Sequence, residues 1–420
     1  MKKLISLSLL TYSALFADAE LDAIRAQLEQ QKLITQKLEA KLNELEHKTQ
    51  TQSIKIAKIE TKNTNKSASF SQNAYMPNMA FVFNMGAVSR NVNNSDYDHY
   101  AIPGFISDID SGLPFNKDDG FNFNYAEVAL NSTVDPYFDA FAIFHLSPAA
   151  FEIEEAFVKT RALPYGVQVK AGKFKSAFGR INEKHHHAWQ FDSQPIIYES
   201  LFGPDAISDA GVQAQWVAPT DTYIMAGAEA FAGTNGSSFG ASGQNKSLYV
   251  TYLKSSIDIG DDLSVLAGAS LAHGSNYENN VTNPTTIYGL DLTLRNQFGS
   301  YSSLIWQSEF LQRNKNVTTR TDKQSGLYSE LVYQYNNNWS TGIRYDTILK
   351  NDTDLTAYTV DTNNLDRYTA KIDYHPFPMS RLRLQYTYDK TKVIADERKN
   401  VQEVLLNLNI AAGAHGAHNY

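Results

Sequence analysis

The chain has 420 residues with no Cys, 12% aromatic and 20% charged residues, and a formal net charge of −8. Without Cys there can be no disulfide framework, thiolate metal site or Cys nucleophile, and the acidic balance argues against nucleic acid as a partner. No run of 18 apolar residues is present, so no helix is predicted to cross a membrane.

At the N-terminus, Met1-Lys2-Lys3 is a short basic stretch, Leu4 to Phe16 is apolar, and Ala17 and Ala19 are small. This is the pattern of an export signal over residues 1–19, cleaved after Ala17 or Ala19. Residues 20–62 then read as helix. The heptad seam Leu21, Ile24, Leu28, Gln31, Thr35, Leu38, Leu42, Leu45, Thr49, Gln52, Ile56, Ile59 is mostly apolar, which predicts a periplasmic coiled coil that oligomerises the chain. A lone amphipathic helix is the alternative. Residues 63–78, rich in Asn, Ser and Thr, read as a linker.

From residue 79 to the C-terminus the chain reads as strands rich in Tyr, Phe, Val and Thr. Along 367–374, Arg367, Thr369, Lys371 and Asp373 fall on one face and Tyr368, Ala370, Ile372 and Tyr374 on the other; 381–388 repeats the pattern. Sixteen strands are predicted, near 79–90, 121–133, 137–147, 151–161, 167–175, 209–218, 222–232, 247–257, 263–273, 286–298, 302–313, 325–336, 339–347, 366–375, 381–390 and 400–410. Short turns alternate with longer polar loops such as 91–120, 176–208, 233–246, 274–285, 314–324 and 348–364. An even strand count with that alternation predicts an all-β membrane protein, a 16-stranded antiparallel outer-membrane barrel over 79–420. The many aromatics beside a negative mean hydropathy fit the same plan.

Apolar alternates must then face lipid, where an Arg or Lys at mid-membrane costs about 2–4 kcal/mol, and charged alternates face the lumen. On that logic Lys170, Arg344, Arg367, Lys371, Arg381 and Arg383 are pore-lining bases, with Glu152 and Glu154 supplying acid on the fourth strand. The bland alternative is that these are generic lumen residues, paired in part with Asp346, Asp373 and Glu330. In the fourth strand the alternation fails, because Glu155 stands beside Glu154 and between Ile153 and Phe157.

The connection 176–208 carries Arg180, Lys184, His185, His186, His187 and Asp192. If it folds inward, these would form a constriction. Neutral imidazole ligates transition metals. Alternate residues of an extended chain share a side, so His185 and His187 are the pair able to hold one ion; a hydrogen-bonded loop cluster is the competing reading. No phosphate loop, dinucleotide glycine fingerprint, nucleophile elbow or His-Glu-x-x-His run occurs, so neither an enzyme nor a cofactor is expected.

Phe123-Asn124-Tyr125-Ala126-Glu127-Val128-Ala129-Leu130, Ile153-Glu154-Glu155-Ala156-Phe157-Val158 and Leu163 to Gly179 resemble the phosphate-selective porins. The resemblance implies a trimeric, 16-stranded, anion-preferring porin of the Gram-negative outer membrane, embedded in lipid and passing small hydrophilic solutes. The mixed charge of the His-rich loop departs from a plainly cationic constriction. A substrate-specific receptor for a metal ion, metal chelate or siderophore is the second functional expectation.

Overall fold

The computed structural model describes Lys32, Lys41 and residues 77–413, apart from 109–114, 149, 162, 236, 241–247 and 279. The chain divides at residues 75/76. In the first unit Lys32 and Lys41 are exposed residues of helical backbone. The export signal, nearly all of the coiled coil and linker, and the tail beyond Gly413 lie outside the described residues.

The second unit is a closed antiparallel barrel of sixteen strands: β1 (Asn78–Arg90), β2 (Gly120–Thr133), β3 (Phe138–Leu146), β4 (Phe151–Thr160), β5 (Val167–Lys175), β6 (Ser208–Val217), β7 (Tyr223–Phe231), β8 (Leu248–Ile259), β9 (Leu263–Glu278), β10 (Val281–Gln297), β11 (Ser303–Val317), β12 (Arg320–Gln334), β13 (Trp339–Asp352), β14 (Asp366–Tyr374), β15 (Ser380–Ile394) and β16 (Glu397–Gly413). Each strand pairs with its sequence neighbours, and β1 closes the ring on β16, from Ala80 opposite Gly413 to Arg90 opposite Glu403. Closure leaves no unpaired edge.

The period of two decides what each face meets. On β14, Arg367 and Lys371 are each 3% exposed, whereas Tyr368 and Ile372 are 45% and 48% exposed. Outward aromatics gather toward the two ends of the strands. Tyr137, Tyr223, Tyr301, Tyr335, Trp339 and Phe377 mark the short-turn end, and Phe151, Tyr249, Tyr288, Tyr345, Tyr368 and Tyr386 the other. Aliphatic residues such as Leu253, Leu290, Ile343 and Leu384 lie between. An apolar band between aromatic girdles is the outer surface expected of a barrel in a bilayer.

Two expected loops are largely strand. Of 274–285 only 279–280 separates β9 from β10, and of 314–324 only 318–319 separates β11 from β12. Asn, Gly and Thr there suggested loop, but a strand that has left the apolar band can carry polar side chains on both faces and still complete its ladder.

Four register shifts interrupt the ladder among the described residues, and two of them shape the site described below. The β1–β2 register shifts between Asn84 and Met85, and the β3–β4 register between Ile143 and Phe144. Each leaves an extra residue on the partner strand, Asn124 on β2 and Glu154 on β4. A bulge bends the strand and re-aims its side chains. Asn124 and Tyr125 are therefore buried side by side, and so is Glu155 next to the largely enclosed Glu154.

Candidate functional site: the loop inside the barrel

The connection from β5 to β6 folds into the lumen. At its base Ser176 N–H donates to Ile207 O at 2.9 Å, and the Asn182 side chain bonds both Ser176 O and Ile207 O and accepts from Ile207 N–H. Beyond this staple the loop carries a one-turn 3-10 helix (His186–Ala188) and a two-turn α-helix (Ile196–Phe202). Phe178, Ile197, Tyr198, Leu201 and Phe202 bury themselves against inward Phe231, Leu248, Val250, Ile287 and Leu311. The apolar positions of the loop thus dry one side of the lumen, and the hydrophobic effect holds the insertion in place.

Polar wall residues complete the anchoring by pairing the loop's backbone, which could not otherwise be buried without loss. Glu309 accepts from Arg180 N–H at 2.8 Å, Ile181 N–H at 3.1 Å and the Tyr198 hydroxyl at 2.8 Å. Glu229 accepts from Ala177 N–H at 2.9 Å and from the Ser176 hydroxyl. Across the barrel, Asp346 accepts from Ile196 N–H at 3.0 Å, and Gln385 accepts from Asp192 N–H at 2.9 Å.

The expected basic stripe is assembled on β13–β15. Arg344 pairs with Asp346 at 2.9 Å and donates to Ser193 O and Oγ, each at 2.8 Å. Arg367 donates to Gln194 O and lies 3.4 Å from Asp346. Lys371 and Arg383 each lie 2.7 Å from Asp373, and Arg381 and Arg383 approach Trp189 O at 3.4 Å. These bases meet the loop's carbonyls and their own acids. Lys170 lies apart, over the rings of Phe157 and Phe174 at 5.0 and 4.9 Å, and Glu152 is exposed at the start of β4.

The histidine run sits beside β2–β4, further round the ring. His185 and His187 share a side, with ring centroids 5.8 Å apart. His186 points away, stacked on Phe115, with Nε2 2.9 Å from Asp192 O. Around His185 the wall supplies acid from β2 and β4 and a second imidazole from β3. Its Nδ1 is 2.9 Å from Glu154 Oε2 and its Nε2 2.9 Å from Glu155 Oε2. His145 Nε2 is 2.6 Å from Glu154 Oε2 and 3.2 Å from Glu127 Oε2, which is also 3.2 Å from His187 Nδ1. Burial opposes the imidazolium of His185, but Glu154 and Glu155 outweigh it and hold its pKa well above the usual range. Burial likewise opposes the Asp192 carboxylate, and His186, Arg383 and Arg381 nevertheless hold its pKa down. Lys184 has its pKa lowered by burial and then by Arg180.

Glu127 and His145 were not singled out in sequence, because a lone Glu or His on a strand is an ordinary lumen residue. The signal available was the paired acid Glu154-Glu155, which the bulge explains. Asp346 was legible as a partner of the basic stripe but not as an acceptor for the loop, and Glu309 carried no signal, since these roles depend on where the loop goes.

No family model matches the chain. It is 36% identical over 382 residues to an uncharacterized protein of Aquifex aeolicus (strain VF5), covering 83% of this chain and 81% of that one. Its fold is similar to that of the anion-selective porin from Comamonas acidovorans (TM-score 0.53, 10% identity, 80% of this chain and 99% of that one). It is also similar to the outer membrane channel DcaP of Acinetobacter baumannii (0.52, 12%, 80% and 97%) and to the trimer form of OmpT, an outer membrane protein of Vibrio cholerae (0.51, 11%, 80% and 99%). The barrel is thus of the outer-membrane porin fold, and by its sequence the chain belongs to the family of the Aquifex aeolicus protein.

Proposed function

We propose that this protein is an outer-membrane porin through which small hydrophilic solutes diffuse, assembled as a homotrimer, with residues 20–62 forming a coiled coil on the periplasmic side. One observation carries the reading: a closed barrel with an apolar, aromatic-girdled exterior holds an anchored loop against a charged wall. Selectivity in such a channel is set by the polar groups at its narrowest level. The loop carries Arg180 and Lys184 and the wall Arg381, each only partly buried, and on these bases we assign the channel a preference for anions. The likeness of 121–179 to phosphate-selective porins points the same way, as does the fold likeness to a Comamonas protein described as anion-selective. The full-length protein in planar bilayers tests this. Stepwise conductance is expected, with a reversal potential in a KCl gradient that favours chloride. Absence of conductance from folded protein would overturn the porin reading, and cation preference would overturn the anion reading alone.

A further inference from the structure

We propose that Glu127, His145, Glu154 and His185 bind one divalent transition-metal ion of the zinc class, which clamps the inserted loop to the barrel wall. Each residue offers one ligand atom, and the four atoms lie within 4.8 Å of one another. Tetrahedral bonds of about 2.0–2.1 Å put donor atoms roughly 3.3 Å apart. The contacts of 2.6, 2.9 and 3.2 Å among these groups fall around that spacing, and His185 Nδ1 to Glu127 Oε2 at 3.9 Å closes the set. Two imidazole nitrogens with two carboxylate oxygens suit zinc, nickel or iron rather than calcium or magnesium, which take oxygen donors.

Two further observations point to an ion. Glu154 Oε2 is buried and lies within 3 Å of imidazole nitrogens from two separate elements, 2.6 Å from His145 Nε2 and 2.9 Å from His185 Nδ1, so both rings already turn a nitrogen toward one carboxylate oxygen. The far nitrogen of His185 faces the Glu155 carboxylate at 2.9 Å, the outer-shell arrangement that orients a metal-bound histidine, and Tyr125 stacks on the His145 ring at 4.5 Å. Three ligands come from β2, β3 and β4 and the fourth from the loop, so the ion would tie the loop to strands other than the arginine-bearing β13–β15. Burial of the site makes the ion a resident one rather than cargo. The inference does not depend on conduction.

The test is zinc titration by calorimetry of full-length protein in detergent, stripped with a chelator, with the visible spectrum of the cobalt form as a second readout. One ion per chain and a tetrahedral cobalt spectrum are expected. Glu154→Gln and His185→Ala should each weaken zinc at least about 100-fold, and Glu155→Gln about 10-fold as an outer-shell partner. The exposed His99→Ala should change nothing. Glu154→Gln keeps shape and size, so it serves if His185→Ala does not fold. No zinc binding by folded protein, or equal affinity in Glu154→Gln, would overturn the proposal. So would binding that survives Glu154→Gln and disappears on His415→Ala/His418→Ala, which would place the ion in the tail.

Discussion

Arg344 donates to the carbonyl oxygen of Ser193, 151 residues earlier in the chain, at 2.8 Å. The same guanidinium pairs with Asp346, which in turn accepts from Ile196 N–H. One arginine therefore serves both as counter-charge for a fully buried acid and as a hook for the loop. Replacing it with Met should leave Asp346 underpaired, with Arg367 at 3.4 Å its remaining base. Removing one partner of a buried pair costs about 3–5 kcal/mol. The expected result is a lower unfolding temperature together with larger and noisier single-channel currents, because the loop loses two of its far-side bonds. Unchanged currents in Arg344→Met would show that the other far-side contacts, from Arg367, Asp346 and Gln385, hold the loop without it.

Gly179 turns the chain inward with φ +62°, and a Cβ there would run into the Tyr198 hydroxyl and the Glu309 carboxylate. Both belong to the set of groups that satisfies the loop backbone. Left-handed backbone is open to Gly and strained for Ala, so Gly179→Ala should cost roughly 1–3 kcal/mol. Denaturant unfolding of the refolded barrel would measure it. The loss should shrink when Tyr198 is also changed to Phe if the clash, rather than backbone strain, dominates.

The barrel was legible because its code is local. Arg367 to Tyr374 alternates without a break, and lipid on one side with charge on the other leaves a single register. The loop's destination was not legible, since nothing in Ser193 or Gln194 signals that Arg344 and Arg367 will meet their carbonyls. The histidine cluster was half legible. Extended geometry predicts that His185 and His187 share a side, and they do so across a 3-10 turn instead; the doubled acid Glu154-Glu155 marked a fault in the alternation. The convergence of β2, β3, β4 and the loop on that fault needed three-dimensional closure. The polar ends of β9 to β12 were misread because side-chain polarity tracks the membrane boundary, not the end of the ladder.

Ile343 is 61% exposed on the outer face of β13, between Trp339 and Tyr345. If this face meets lipid, Ile343→Arg should cost about 2–4 kcal/mol in a bilayer. The same substitution on an outer face bathed in water would cost less than about 0.5 kcal/mol. Equilibrium unfolding from phospholipid vesicles, compared with Thr321→Arg near the tip of β12, separates these outcomes. Equal stability of the two variants would remove the lipid assignment from this face.

Tyr100 donates its hydroxyl proton to Glu199 of the inserted loop, one of the contacts that join the β1–β2 connection to it. Burial first, and then the Glu199 charge, pushes the Tyr100 pKa well above 10. Below about pH 10 the phenol is neutral both folded and unfolded, and its contribution to stability is fully present. Above pH 10 the unfolded chain ionises while the folded one does not. Stability should then fall by up to about 1.4 kcal/mol per pH unit until the folded phenol itself ionises. Tyr100→Phe removes both the bond and this slope. At pH 8 it should be less stable than wild type by about 1.5–3 kcal/mol, as for a hydrogen bond to a charged acceptor. By about pH 11.5 the gap should have narrowed by at least 1 kcal/mol, since every other tyrosine titrates alike in both proteins and cancels in the difference. Urea unfolding at the two pH values measures this directly. A gap that stays constant would mean that the hydroxyl's contribution is not lost on ionisation, and a gap near zero at pH 8 would mean that Tyr100 contributes through its ring, packed against Tyr97 and Ile102, and not through Glu199.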